Sequence, residues 1–293
     1  MQPAIFNHDP APTAKLEALL DSQFAQRELA VDDGRLAIRE VGTGPAIVLL
    51  HGIGSGAASW LQVALALSQD ARVIAWDAPG YGDSTPLAHP APSAMDYAGR
   101  LLHMLDALGI ETCVLVGHSL GALTATALAS SQPHRVSRLV LISPARGYGD
   151  PARETQRQQV RAKRLQTLEC LGIAQMAHER CAHMLSSRAS SSALAWVQWN
   201  MSRLNPAGYR QAIELLCGDD LLRHAPLSVP CEVHCGEADA ITAPEACHGL
   251  AKSLAASFSL IPDAGHASPI EQPIVVAGRL AHALKESLTG SAL

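Results

Sequence analysis

Short apolar runs recur along this chain and alternate with segments of helix length. The runs are apolar at nearly every position, which is typical of strands buried on both faces of a mainly parallel sheet. The predicted strands are Ala46 to Leu50, Arg72 to Trp76, Cys113 to Val116, Leu139 to Ile142, Val229 to Cys235 and Ser257 to Ile261. The helices predicted around them are Ala57 to Ser68, Ala94 to Leu108, Leu120 to Ser131, Pro244 to Leu254 and Pro273 to Leu288. This alternation predicts the α/β class, with helices on both faces of the sheet.

The start of the chain and one long internal segment depart from this alternation. From Arg27 to Val41 apolar and polar residues alternate around Asp33-Gly34, which predicts an antiparallel hairpin. After Ser143 the strand pattern gives way to helical patterns at Ala152 to Leu171, Ile173 to Leu185, Ser191 to Met201 and Pro206 to Leu216. A helical segment inserted between two strands is expected to lie over the strand ends as a lid. The expected organisation is an N-terminal extension at 1–23, an α/β core at 24–144 and 229–293, and a helical lid at 145–228.

The composition narrows the class of protein. With 48% hydrophobic residues among 293, the chain can bury a substantial core, and its net charge of −5 gives no indication of a nucleic-acid partner. No stretch approaches the roughly 20 apolar residues that a membrane-spanning helix needs. Residues 1–12 carry neither Lys nor Arg and no apolar block, so we expect no secretory signal, no membrane partner and a cytoplasmic location. The oligomeric state has no signature in the sequence.

The cysteines and glycines give no indication of a cofactor. Seven cysteines lie scattered through apolar segments, and this odd number favours reduced thiols over a disulfide framework. Cys231 and Cys235 flank His234, but on a strand the two cysteines face one side and the histidine faces the other. The ligand set is incomplete for zinc, and we predict no metal site. The glycines at 52–56 lack the G-x-G-x-x-G spacing with a downstream acid, so no nucleotide or flavin is expected.

A G-x-S-x-G motif at residues 117–121 lies between a predicted buried strand and a predicted helix. In such a motif the serine sits on a sharp, strained turn that raises its hydroxyl above the sheet. The positions two residues away on each side must lack bulk, because strand and helix approach each other closely there. Ser119 is therefore the candidate nucleophile.

Five motifs in one order resemble those of the α/β-hydrolase fold superfamily. They are His51-Gly52-Ile53-Gly54, the segment Asp77 to Ser84, the G-x-S-x-G motif, the segment Gly236 to Asp239, and Gly265-His266. The resemblance extends from about Arg27 to Leu288 and implies a serine hydrolase. It leaves the substrate open beyond a small molecule, because one fold hosts many reactions.

The resemblance implies a catalytic triad of Ser119, Asp239 and His266, in the family's order of nucleophile, acid and base. In this arrangement His266 would take the serine proton as attack begins, and Asp239 would fix the imidazole tautomer and stabilise the imidazolium. The backbone N–H groups of Ile53 and Leu120 are the expected donors of an oxyanion hole.

Other residues compete for these roles. His51 and His118 are interpreted as structural members of their loops. Glu237 and Asp263 are carboxylates near Asp239 in the sequence. Some relatives carry the acid after the preceding strand, but residues 143–145 here read Ser-Pro-Ala, without a carboxylate. Asp239 therefore remains the preferred acid.

Residues around the triad limit the range of reactions that we expect. A serine nucleophile excludes the haloalkane dehalogenase branch of the superfamily, which has Asp in that place. C–C bond hydrolases of aromatic-compound degradation usually carry Asn before the nucleophile and an aromatic residue after the base, whereas this chain has His118 and Ala267. We therefore expect cleavage of a small carboxylic ester or lactone, with C–C hydrolysis as the alternative. An acyltransferase and a ligand-binding protein with low turnover are further alternatives.

Charge is segregated between the lid and the remainder of the chain. From Ala145 to Ser228 there are 11 Lys and Arg against 7 Asp and Glu, a net charge of +4, so the remainder carries 11 against 20, a net charge of −9. A basic lid over an acidic body is expected to attract a substrate that bears a carboxylate. The competing interpretation is that arginines at helical spacing form a solvated face, and these are Arg153, Arg157, Arg161 and Arg164.

Four lid residues are candidates for substrate binding. Trp196 and Trp199, with Met201, are placed to line an acyl pocket, although such residues at helical spacing more often belong to a core. Arg188 is a candidate for binding a substrate carboxylate.

Overall fold

The computed structural model describes residues 11–32 and 34–289. Within these residues eight strands form one sheet in the order β1-β2-β4-β3-β5-β6-β7-β8. The strands are β1 (Gln26–Val31), β2 (Gly34–Val41), β3 (Ala46–Leu50), β4 (Arg72–Trp76), β5 (Cys113–His118), β6 (Val136–Ile142), β7 (Cys231–Gly236) and β8 (Ser257–Ile261). Strands β3 to β8 are parallel, and β1 and β2 form an antiparallel hairpin at one edge. The predicted mainly parallel sheet and hairpin are confirmed; Asp33, at the predicted turn, lies outside the described residues.

Ten α-helices surround the sheet in the described part of the chain. They are α1 (Ala11–Gln23), α2 (Leu61–Leu67), α3 (Ala94–Ala107), α4 (Gly121–Ser131), α5 (Glu154–Arg180), α6 (Ser191–Ser202), α7 (Pro206–Gly218), α8 (Pro244–Ser253), α9 (Ser268–Glu271) and α10 (Pro273–Thr289). Helices α5, α6 and α7 lie between β6 and β7, as expected for an inserted lid. The described helices include none with the length and apolar character needed to cross a bilayer.

The core consists of two apolar layers, one on each face of the sheet. Strand β5 shows the division, because Leu115 belongs to one buried cluster while Val114 and Val116 belong to the other. All six residues of β5 are buried, which is the reason for its continuous apolar run. Strand β3 lies between β4 and β5, so the chain reverses its winding direction there. A crevice at the carboxyl ends of the strands beside this reversal is the usual ligand site of such sheets.

The lid has the break that the sequence predicts within its first helical segment. Gly172 interrupts α5 with non-helical backbone (φ 66°, ψ 176°), so the helices predicted on either side of it are present as two parts that meet at a kink. A residue with a Cβ rarely adopts this conformation, so glycine permits the sharp change of direction. A 3-10 turn at Cys181–Met184 ends the segment.

Ion pairs join the two ends of the lid to each other, and a hydrogen bond joins the lid to the rest of the protein. The Arg146 guanidinium bonds the carboxylates of Asp150 and Asp220. Asp219 accepts a hydrogen bond from the backbone N–H of Ala94, at the start of α3 (2.9 Å). These contacts fix the two ends of the inserted segment over the carboxyl ends of the strands.

Candidate active site

Ser119 occupies the sharp turn between β5 and α4 with a φ of 52°, an unusual value for a residue with a side chain. Its neighbours show why the motif needs glycine. A Cβ on Gly121 would lie 2.6 Å from the Leu50 carbonyl oxygen, and one on Gly117 would lie 2.7 Å from the Ala122 Cα. Bulk at either position would push the helix away from the sheet, so the two glycines allow the strained turn that presents Ser119.

The structure brings Ser119, Asp239 and His266 together although they are far apart in sequence. Ser119 Oγ lies 2.9 Å from His266 Nε2, and His266 Nδ1 lies 2.9 Å from Asp239 Oδ2. All three residues are buried. With Asp239 ionised, the proton of a neutral His266 sits on Nδ1, which leaves Nε2 free to accept the serine proton.

The surroundings of Asp239 favour its ionised form. Burial acts to raise the pKa of this carboxyl, but the hydrogen bond and charge of His266, together with the backbone N–H of Thr242, outweigh burial and hold the pKa well below its usual range. Oδ1 accepts from the N–H groups of Ile241 (2.8 Å) and Thr242 (3.0 Å). The carboxylate is thus fixed in charge and in orientation.

Thr242 was not singled out by the sequence, yet it touches both the acid and the base. Its Oγ1 lies 2.9 Å from Asp239 Oδ2, 3.2 Å from His266 Nδ1 and 3.0 Å from the Ser143 carbonyl oxygen. Thr242 follows Asp239 by three residues in the loop after β7, a spacing typical of side chains that bond within their own turn. That position is the only sequence signal that points to it.

His51 and His118, the two histidines interpreted as structural, each form a hydrogen bond with the backbone of a neighbouring loop. His118 Nε2 lies 2.8 Å from the His266 carbonyl oxygen and donates to it, which ties the nucleophile turn to the loop of the base. Burial lowers the pKa of His118 to about 3, so this ring stays neutral. His51 Nε2 accepts from the Ala78 N–H (3.0 Å). Neither ring contacts Asp239 by a hydrogen bond among the described residues.

The backbone N–H groups of Ile53 and Leu120 flank the serine. Leu120 directly follows Ser119 at the start of α4, where helix N–H groups have no partner within the helix. The loop that carries Ile53 approaches closely, since a Cβ on Gly52 would lie 3.0 Å from the Ser119 Cβ. In the described part of the chain neither N–H donates to a protein acceptor. Within those residues both N–H groups are therefore open donors, which an oxyanion hole requires.

A cavity of about 1020 Å³ opens over Ser119 and His266. Its walls come from the loop at residues 52–55, the lid and one face of α8, including Met176, Met201 and Leu250. This volume is at the upper end for small-molecule sites. Five Lys and Arg side chains also border the cavity, and they are Arg146, Arg153, Lys163, Arg164 and Arg180.

The structure places three of the four candidate substrate-binding residues of the lid away from this cavity. Trp196 is 1% exposed and stacks on Trp199 at 4.4 Å between ring centroids, within an apolar cluster. Arg188 is exposed and pairs with Asp263 (2.5 Å). None of the three borders the cavity, whereas Met201 does. The tryptophans therefore have the core role that helical spacing usually indicates.

The row of arginines expected to form one solvated face is divided by the structure. Arg157 and Arg161 pair with Glu154 and Glu214 outside the cavity, while Arg153 and Arg164 line it. The single-face interpretation is therefore wrong for half of the row, because the fold packs Arg153 on the Tyr148 ring and bonds Arg164 to the Tyr209 hydroxyl.

The residues that match the general model of the α/β hydrolase fold are 45–273. Among solved structures, the enol-lactonase of Burkholderia xenovorans LB400 superposes with a TM-score of 0.79 at 26% identity, over 89% of this chain and 100% of that one. A thermophilic esterase from Thermogutta terrifontis superposes with a TM-score of 0.78 at 24% identity, over 90% and 99% of the two chains. Both therefore share the whole architecture.

One curated relative is a 2-hydroxy-6-oxononadienedioate/2-hydroxy-6-oxononatrienedioate hydrolase of Pseudomonas putida, 32% identical over 144 residues. That match covers 47% of this chain and 50% of the relative, so the chain spans about half the length of this relative. The family model, by contrast, includes β3 to α9 and the sites of Ser119, Asp239 and His266. The extent of that match and the agreement of the sheet lead to one conclusion: this chain belongs to the α/β-hydrolase fold family.

Proposed function

We propose that this protein is a serine hydrolase that cleaves a small carboxylic ester or lactone through an acyl-enzyme on Ser119. The observation that carries the proposal is the hydrogen-bonded series Ser119, His266 and Asp239, with both distances 2.9 Å, at the floor of the cavity. A nucleophile bonded to a base that is oriented by an acid is the geometry that acyl transfer requires.

Acylation begins when Ser119 Oγ attacks the carbonyl carbon of the substrate. His266 Nε2 accepts the serine proton as the C–O bond forms, and Asp239 stabilises the resulting imidazolium. Negative charge develops on the carbonyl oxygen, where the N–H groups of Ile53 and Leu120 would donate to it. Each such donor is worth about 3 kcal/mol of barrier in comparable sites.

Acylation ends and deacylation follows through the same base. The imidazolium of His266 gives its proton to the leaving alkoxide, which departs as an alcohol, or stays attached as a hydroxyl when the substrate is a lactone. In deacylation, water loses a proton to His266 as it attacks the acyl carbon. His266 then returns that proton to Ser119 Oγ as the C–O bond to serine breaks and the carboxylic acid is released. His118 supports both steps by holding the His266 carbonyl at 2.8 Å.

C–C bond hydrolysis is the second candidate, favoured by the 32% identity to the Pseudomonas putida hydrolase, whose name specifies a dioate substrate. The side chain before the nucleophile argues for the ester reaction. His118 is turned to the His266 carbonyl and is neutral, so its donor is already used. A dioate and an ester that bears a carboxylate would both need cationic side chains in the cavity to bind the free carboxylate.

The proposal is tested by steady-state kinetics on matched panels of small esters, lactones and 2-hydroxy-6-oxodienoates. We expect kcat/KM to be highest for an ester or lactone, and Ser119→Ala to lower kcat roughly 10⁴-fold or more. Ser131→Ala is the matched control, since Ser131 ends the same helix and bonds only to the turn before it. Equal activity of Ser119→Ala and wild type would contradict the acyl-enzyme.

A further inference from the structure

The cavity over Ser119 has walls of one charge. Five cationic side chains border it, and no Asp or Glu does among the described residues. A cavity lined by one sign of charge raises the local concentration of ligands of the opposite sign. Two of the five are held by other groups of the protein. Arg146 pairs with Asp150 and Asp220, and Arg153 donates to the Gly147 carbonyl oxygen and covers the Tyr148 ring.

The remaining three cations, Lys163, Arg164 and Arg180, form what we call the cationic wall. No described carboxylate lies within ion-pair distance of any of them. Arg161 on the same helix does not border the cavity, and it donates to both carboxylate oxygens of Glu214 (2.9 Å each from Nε). The arginines of α5 away from the cavity are therefore paired with carboxylates, whereas, among the described residues, the three cations of α5 that border the cavity are not.

Arg164 is the member of the wall whose position is fixed. Its Nη1 donates to the Tyr209 hydroxyl (3.1 Å), and Tyr209, on α7, is 2% exposed and borders the cavity as well. A guanidinium has five N–H donors in a rigid fork, and this bond uses one of them. The other donors can bind the two oxygens of a carboxylate side by side.

The kink in α5 allows the third cation of the wall, Arg180, to border the same cavity. Gly172 separates the part of the helix that carries Lys163 and Arg164 from the part that carries Met176 and Arg180, and both parts border the cavity. A straight helix would carry Arg180 roughly 24 Å past Arg164, at 1.5 Å per residue. The bend thus lets the two parts enclose one ligand.

We infer that the cationic wall is a subsite for a carboxylate on the substrate, so that the preferred substrate is an ester or lactone that also bears a free carboxylate. This inference rests on the proposed function for the scissile bond and adds the second recognised group. Arg164 is the expected anchor, with Lys163 and Arg180 as supporting charges. The wall explains the net positive charge of the lid as a feature of binding rather than of a solvated face.

The test compares kcat/KM for a carboxylate-bearing ester with that for a neutral counterpart. Monomethyl adipate against methyl hexanoate places the carboxylate on the acyl side, and acetoxyacetate against ethyl acetate places it on the alcohol side. We expect Arg164→Gln to lower the charged-to-neutral ratio roughly 10- to 100-fold for at least one pair. A loss of catalytic efficiency that affects both esters equally, such as partial misfolding, cancels in this ratio.

Arg161→Gln is the matched control, since Arg161 lies on the same helix, outside the cavity and paired with Glu214. It should leave the ratio unchanged, while Lys163→Gln should lower it less than Arg164→Gln does. Arg164→Glu should favour an ester that bears an ammonium group. An unchanged ratio in Arg164→Gln, Lys163→Gln and Arg180→Gln, for both pairs, would refute the subsite while leaving the serine hydrolase intact.

A binding measurement separates this inference from the proposed function. Adipate is titrated calorimetrically into Ser119→Ala and into Ser119→Ala combined with Arg164→Gln or with Arg161→Gln. We expect the Arg164 substitution to raise the Kd roughly 10-fold or more and the Arg161 substitution to leave it unchanged. No binding of adipate, or equal binding by all three proteins, would overturn the subsite even if no ester is hydrolysed.

Discussion

The polar side chains on the sheet side of the cavity are hydrogen-bonded within the protein, whereas those on the lid side have few protein partners. On the sheet side, Ser119, Asp239 and His266 are at most 6% exposed, and each is hydrogen-bonded within the protein. On the lid side, Lys163 is exposed, and Arg164 and Arg180 are half-buried. Among the described residues, these three cations make one hydrogen bond to the protein through their side chains, from Arg164 to Tyr209. The contrast indicates that the strand ends hold the reacting groups rigid, whereas the lid leaves donors open for the ligand.

The largest expected effect is a loss of kcat caused by a substitution on the sheet side of the cavity. Asp239→Asn keeps the shape of the side chain but removes the charge that orients His266, so we expect kcat to fall roughly 10⁴-fold. Ester hydrolysis under saturating substrate measures this. The Lys163→Gln variant of the lid serves as the comparison, and a similar fall in kcat for a neutral ester in both variants would contradict the division of roles.

A second effect concerns the packing that supports the serine turn. Gly121→Ala places a Cβ 2.6 Å from the Leu50 carbonyl oxygen and 2.8 Å from that of His51, so the backbone has to move. We expect the free energy of unfolding to fall by about 1–3 kcal/mol, together with a loss of activity. Gly99→Ala in α3 is the control, because a Cβ there meets no atom within 4 Å. Urea unfolding of both variants gives the comparison.

The corresponding change on the lid side is Gly172→Ala. There the added Cβ has open space, and the cost comes from the backbone, whose φ of 66° disfavours any residue with a Cβ. We expect a smaller loss of stability, about 1–2 kcal/mol, and a lower charged-to-neutral ratio as Arg180 moves. Gly218→Ala, at a lid position with open space and no positive φ, should show neither change.

The last expected effect is a pH dependence that arises at His118, which is small near neutral pH and grows as the pH is lowered. Burial lowers the pKa of this ring from 6.5 to about 3 in the folded protein. Between these values the unfolded chain binds a proton that the folded chain does not, so stability falls as the pH is lowered through this window. His118→Gln should flatten that part of the curve of unfolding free energy against pH. An identical slope in variant and wild type would show that His118 is not neutral when folded.

The same contrast between the walls explains what the sequence could predict. Strands such as Ala46–Leu50 and Arg72–Trp76 were predicted at their observed bounds, because burial on both faces leaves a continuous apolar run. The positions of Ser119, Asp239 and His266 followed from motifs at strand ends, and the parallel sheet brings those ends to one edge. Local sequence patterns are therefore sufficient to predict the site residues whose positions the sheet determines.

The lid was harder to predict because its contacts are between helices. Helical spacing placed Arg157 and Arg164 on one face, but Arg157 pairs with Glu154, whereas Arg164 bonds Tyr209 of α7 and borders the cavity. Trp196 and Arg188 were candidates by residue type, and the structure buries one in a core and leaves the other in a surface ion pair. Thr242 was missed, since a hydroxyl within a loop has no distinguishing pattern.

The central claim is that Ser119 is an activated nucleophile. It is tested most directly by treating the protein with a fluorophosphonate, measuring the intact mass and mapping the modified peptide, with Ser119→Ala as the control. The account predicts a single adduct, located on Ser119 and absent from the variant. A folded protein that forms no adduct, or one that is modified equally in Ser119→Ala, would contradict it.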